Sequence, residues 1–82
     1  MPKENPIFGV IRLVKYVLGV DNPRVEELAD GSKIVVVLPN IYAHEIVELA
    51  HQLRRRFNIP TNKIVIYPKD MSRLELVIYL PW

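Results

Sequence analysis

"RVEELADGSKIVVVLP", residues Arg24 to Pro39, decides the fold. Two short strand-forming runs flank Asp30-Gly31, a pair suited to the positive backbone dihedrals of a tight turn, so the stretch reads as a β-hairpin. Its strands run from about Arg24 to Leu28 and from Lys33 to Leu38, and Pro39 ends the second. Upstream, "NPIFGVIRLVKYVLG" (5–19) opens with Asn5 as an N-cap and Pro6 at the first helical position, and it closes on Gly19. Ile7, Val10, Ile11, Val14, Val17 and Leu18 recur at helical spacing, which predicts a helix over Pro6–Leu18; the many β-branched residues make a buried strand the competing reading. Downstream, Asn40 is placed to cap a second helix from Ile41 to about Asn58, with Ile46, Leu49, Ala50, Leu53 and Phe57 as its inward stripe. "NIPTN" (58–62) stops it. "KIVIY" (63–67) and "RLELVIYL" (73–80) then read as two further strands joined through "PKDMS" (68–72).

The order is α-β-β-α-β-β, an α+β domain with two helices on one face of a four-stranded mixed sheet. The same order results when the first strand of a ferredoxin-like domain is moved to its C-terminus. A right-handed crossover through the second helix would carry strand 2 past a central strand to strand 3 and leave strand 4 to fill the gap, giving a spatial order 3-4-2-1. Strands 2 and 4 are the most continuously apolar and suit the central positions. Residues 1–82 make a single domain near the size at which one core barely outweighs conformational entropy, so stabilisation by a partner chain is expected. Each half is a helix followed by a hairpin, an order of elements that resembles the LAGLIDADG homing endonucleases. In that family an acid closes the first helix, where this chain has Gly19-Val20-Asp21. The family's Asp/Glu-Gly ending is absent, so no catalytic role is carried over and Asp21 reads as a turn residue.

Half the residues are apolar and 24% are charged, a globular rather than a disordered composition. The absence of cysteine excludes disulfides and thiolate metal sites and points to a reducing, cytoplasmic setting. Arg12 and Lys15 interrupt the apolar run from Ile7 to Val20, which reads neither as a signal peptide nor as a membrane span. One Gln, one Thr and seven prolines give a thermophile-like profile. The net charge of +2 does not by itself announce nucleic acid, but its placement is uneven: between His51 and Arg73 stand six basic residues and one acid, Asp70.

Within "HEIVELAHQLRRRF" (44–57), His44, Glu48, His51 and Arg55 fall within about 60° on a helix. The two-histidine i, i+4 pair of a zinc signature is missing and Arg55 shares the stripe, so a solvated helix face is the expected reading, with no metal and no cofactor. Arg54, Arg55 and Arg56 spread over about 200°, so at most two share a face. With the chain reversing at Asn58-Ile59-Pro60, they are expected near Lys63. Arg54, Arg55, Lys63, Lys69 and Arg73 form the candidate phosphate-contact set for DNA or RNA. The bland alternative is a capped, solubilised helix end.

On the sheet, Leu74, Leu76, Ile78 and Leu80 belong under the helices. The opposite face collects Val35, Val37, Val65, Val77 and Tyr79, which are expected to form a homo-oligomer interface, in the simplest case of a homodimer. Its competitor is a stacking platform for single strands, with Tyr67 and Tyr79 under bases and Lys33, Lys63 and Arg73 on phosphates. No Gly-rich phosphate loop or nucleophilic cysteine is present, and Ser32 and Ser72 sit in turns without a nearby histidine in sequence. The expectation is a non-enzymatic nucleic-acid-binding protein. The alternative is a protein-interaction or structural subunit with no nucleic acid bound.

Overall fold

The computed structural model describes residues 6–21 and 23–82. Its elements are α1 (Pro6–Leu18), β1 (Arg24–Leu28), β2 (Gly31–Leu38), α2 (Ala43–Phe57), a 3-10 turn (Thr61–Lys63), β3 (Ile64–Pro68) and β4 (Leu74–Leu80). The expected Asn5 cap lies outside the described residues. Gly19 closes α1 with φ 65°, donating its N–H to the Lys15 carbonyl at 2.9 Å. A residue with a Cβ adopts that left-handed conformation only at a cost.

The second helix starts later than the sequence suggests. Its N-cap is Tyr42, in extended conformation and without a side-chain cap bond, and the Tyr42 carbonyl receives the N–H groups of Glu45 and Ile46. Asn40 is therefore not the cap. Residues 39–42 are used to climb from the sheet to the helix layer, and Ile41 packs against the core on the way. At the other end Asn58 takes φ 57°, and the N–H groups of Asn58 and Ile59 return to the carbonyls of Arg54 and Leu53 at 3.1 and 3.2 Å. Ile59 thereby enters the core at 1% exposure, a position that the loop-like "NIPTN" does not advertise.

The strand order is β1-β2-β4-β3, and every neighbouring pair is antiparallel. The spatial order matches expectation, whereas the sheet is not mixed. The α2 crossover makes β2 and β3 run the same way, but β4 lies between them and runs the other way, so no parallel neighbours remain. The first hairpin also differs in detail. Leu28 pairs with Gly31, leaving Ala29 and Asp30 as the loop, and none of these residues has a positive φ. Gly31 is needed for space instead: a Cβ there would overlap the Leu80 carbonyl oxygen and meet Pro81 C at 3.2 Å.

The register assigns the faces. Ile34, Val36 and Leu38 of β2 align with Ile78, Leu76 and Leu74 of β4, and this face packs under Val10, Leu13, Val14 and Leu18 of α1 and Leu49 and Leu53 of α2. Removing these side chains from water at about 25 cal/mol per Å² is the main favourable contribution to folding. The helices meet closely where Gly9 faces the Phe57 ring; a Cβ on Gly9 would stand 3.0 Å from it. Thus the start of α1 lies beside the end of α2. No helix among the described residues is long and apolar enough to cross a membrane.

Candidate nucleic-acid interface

The five candidate phosphate contacts divide between the two ends of the sheet. Arg54 and Arg55 are exposed in the last turn of α2, and Lys63 ends the 3-10 turn that follows. Arg56, beside them, lies 5.5 Å from the Phe57 ring centroid. Lys69 and Arg73 flank the β3–β4 hairpin instead. Five residues of β3 separate that hairpin from Lys63, about 17 Å at strand rise.

The electrostatic states of the two groups also differ. Arg73 donates twice to Asp70 Oδ2, at 2.8 and 2.6 Å, while the Ser72 N–H and hydroxyl donate to Oδ1 at 3.0 and 3.3 Å. Hydrogen bonding from Arg73 holds the Asp70 carboxyl down at about 2, and the same bond raises the Arg73 guanidinium. Lys69 Nζ lies 3.3 Å from Glu75 Oε2. No such carboxylate partner stands within salt-bridge distance of Arg54, Arg55 or Lys63 among the described residues. The α2 end is thus the free cationic group, and the hairpin end is internally neutralised.

The outer sheet face is less open than its sequence suggests. Val35 and Val77, adjacent on the central strands, are 2% and 1% exposed although both helices lie on the other side. Long side chains on the flanking rows surround them: Glu26, Lys33 and Tyr79 on one side, Glu75 and Tyr67 on the other. The flanking polar groups are tied together. The Tyr67 hydroxyl donates to Glu75 Oε1 at 2.5 Å, and Arg24 Nε lies 2.9 Å from Glu26. The bond from Tyr67, then the bond from Lys69, lowers the Glu75 carboxyl, and Tyr67 is raised in turn by donating its hydrogen bond to that carboxylate. Of the expected interface residues, Val65 and Tyr79 remain about two-fifths exposed and Val37 is half-buried, whereas Val35 and Val77 are already covered.

Main-chain recognition at the β3 edge is also restricted. The Lys69 N–H donates to the Arg73 carbonyl, and bonded and non-bonded pairs alternate along an antiparallel ladder, so Ile64, Ile66 and Pro68 direct their main-chain groups outward. Pro68 has no N–H, and that of Ile64 is taken by the Thr61 carbonyl. Ile66 is left as the one N–H donor of β3 on that side, too few for a partner strand.

His44, Glu48, His51 and Arg55 are all exposed on α2, with Gln52 donating to Glu48 at 3.0 Å. No group of three or more potential metal ligands occurs among the described residues.

Sequence reasoning missed a cleft of about 530 Å³ where the β1–β2 hairpin, the segment after α2 and the end of β4 converge. Tyr79 and Lys63 both line it, together with Asp30, Asn58 and Asn62. The sequence already grouped Tyr79 with Lys63 on the outer face, but the cleft also takes in Asp30, Asn58 and Asn62 from two separate loops. That convergence becomes readable only once the fold brings the loops together. No protein family, curated protein or solved structure matches the chain.

Proposed function

We propose that this chain is a non-enzymatic nucleic-acid-binding domain that grips the phosphate backbone with Arg54, Arg55 and Lys63. The observation that carries this reading is the placing of these exposed cations in the last turn of α2 and the 3-10 turn that follows, with no carboxylate partner among the described residues, while Lys69 and Arg73 are paired. Unpaired guanidinium and ammonium groups exchange only water and mobile ions for phosphate, which favours binding by counterion release. The topology supports a permuted ferredoxin-like architecture through its strand order β1-β2-β4-β3 and its single helical face.

The test compares two double variants by oligonucleotide affinity across a salt series. Arg55→Glu with Lys63→Glu abolishes measurable binding, whereas Lys69→Gln with Arg73→Gln leaves most of it, each with wild-type secondary structure because exposed charges contribute little to stability. Absence of binding to any DNA or RNA at low salt would overturn the proposal. A protein-interaction role with homo-oligomerisation is the second reading, favoured by the apolar edge of Val65, Ile66 and Tyr67, each about two-fifths exposed.

A further inference from the structure

We infer that the cleft beside Tyr79 receives one unpaired nucleobase, so that nucleic acid is bound as a single strand; this rests on the nucleic-acid reading above. Tyr79 lies near the C-terminal end of the central strand β4, on the outer face, with its side chain 38% exposed. Its cross-strand partner on β2 is Lys33. Continuing the β3–β4 register one residue before Ile64 brings Lys63 to its other side. Tyr79 therefore lies between two lysine positions, Lys33 across the strand pair and Lys63 in the 3-10 turn that lines the same cleft.

The chemistry of the cleft suits a base. Leu28, Val65 and Pro81 give apolar walls, and Asp30, Asn58 and Asn62 supply both donors and acceptors for base edges. Every base has a π-face for Tyr79, so stacking is tolerant of sequence, while the two lysines lie within reach of the adjoining phosphates. Lys33 is only loosely engaged, 3.9 Å from Glu26. Tyr67 does not make a second platform: its hydroxyl is held by Glu75, whose carboxylate opposes a phosphate. A duplex cannot present a base face without unpairing it. The strand leaving the cleft past Lys63 passes to the α2 end, where Arg54 and Arg55 hold its backbone.

The experiment measures fluorescence anisotropy of labelled twelve-nucleotide DNA and RNA strands, single and as duplexes, at low salt with the full chain. Single strands bind at least tenfold more tightly than duplexes. Tyr79→Ala weakens single-strand binding by roughly 5- to 150-fold, the range expected for loss of one stacked base, and leaves duplex binding unchanged. Tyr79→Phe retains the affinity. Tyr79→Leu keeps apolar cover on the sheet without a planar ring and shows the same loss as alanine, which separates stacking from folding. Equal affinity for single strands and duplexes, unaffected by Tyr79→Leu, overturns this inference and leaves the phosphate grip standing. Absence of all binding removes both.

Discussion

Replacing Gly31 by alanine isolates a constraint that comes from neither composition nor local conformation. Gly31 has no positive φ, so an added methyl does not strain its own backbone. The conflict is with the end of β4, where the new Cβ overlaps the Leu80 carbonyl oxygen and lies 3.3 Å from the Leu80 carbonyl carbon and 3.2 Å from the carbonyl carbon of Pro81. A flexible side chain would rotate away; a main-chain carbonyl in the central ladder moves only if β2 and β4 part there. Overpacking against well-fixed atoms costs about 1–3 kcal/mol. For a domain of this size that lowers the melting temperature by roughly 5 to 20 °C, since each kcal/mol shifts it by about 4–8 °C. The natural control is Gly19→Ala. There a Cβ meets nothing within 4 Å but the residue stays at φ +65°, so the cost is conformational, about 1 kcal/mol. Thermal melts followed by circular dichroism, with chemical denaturation for the free energies, rank the two. A Gly31→Ala protein as stable as wild type, or more stable than Gly19→Ala, would refute the close approach of the first hairpin to the end of β4.

Two further outcomes test the rest of the structure. Val77→Ala removes two methyl groups from a side chain already covered within one chain and costs about 2 kcal/mol at every protein concentration; a wild-type melting temperature that tracks concentration, and ceases to do so in the variant, would instead assign Val77 to an interchain contact. Asp70 and Glu75 are both held below their unfolded values, Asp70 at about 2, so the unfolded chain binds more protons over the acid range and stability present at neutral pH is lost as pH falls from about 4 to about 2. Asp70→Asn flattens part of that decline in acid melts, and an unaltered profile would show that the Arg73 pair does not form in solution.

Much of the fold was legible because periodicity reports burial directly. Pro6, Gly19 and six apolar residues at helical spacing fix α1, and the uninterrupted Ile34–Leu38 run places β2 in the middle of the sheet. What escaped the sequence depends on contacts between segments. Local cap preference favours Asn40 over Tyr42 as the start of α2, but the choice is set by the distance from strand to helix layer. Asp30-Gly31 carries a turn signal, yet the loop is Ala29-Asp30 and the glycine serves β4. The candidate site was legible only in part. The arginine run announced cations, but Asp70 and Glu75 lie one and six residues after Lys69, and only the folded hairpin shows that they neutralise Arg73 and Lys69.

That neutralisation limits what the basic region can do. A phosphate arriving at Arg73 or Lys69 must displace a carboxylate already in place, so the gain is an exchange of one anion for another. At Arg54, Arg55 and Lys63 it displaces water and mobile ions, and their release favours binding. In the proposed complex Lys33, opposite Tyr79 and only loosely engaged by Glu26 at 3.9 Å, makes a fourth cation, and the logarithm of affinity for a single strand should fall with the logarithm of salt concentration at a slope of about −3, from about 0.7 per contact. A slope nearer −4 would require Lys69 and Arg73 as well, and hence the opening of both hairpin ion pairs on binding. The Lys69→Gln, Arg73→Gln protein decides between these cases: it keeps the shallow slope if the hairpin stays closed and loses about one unit if it opens.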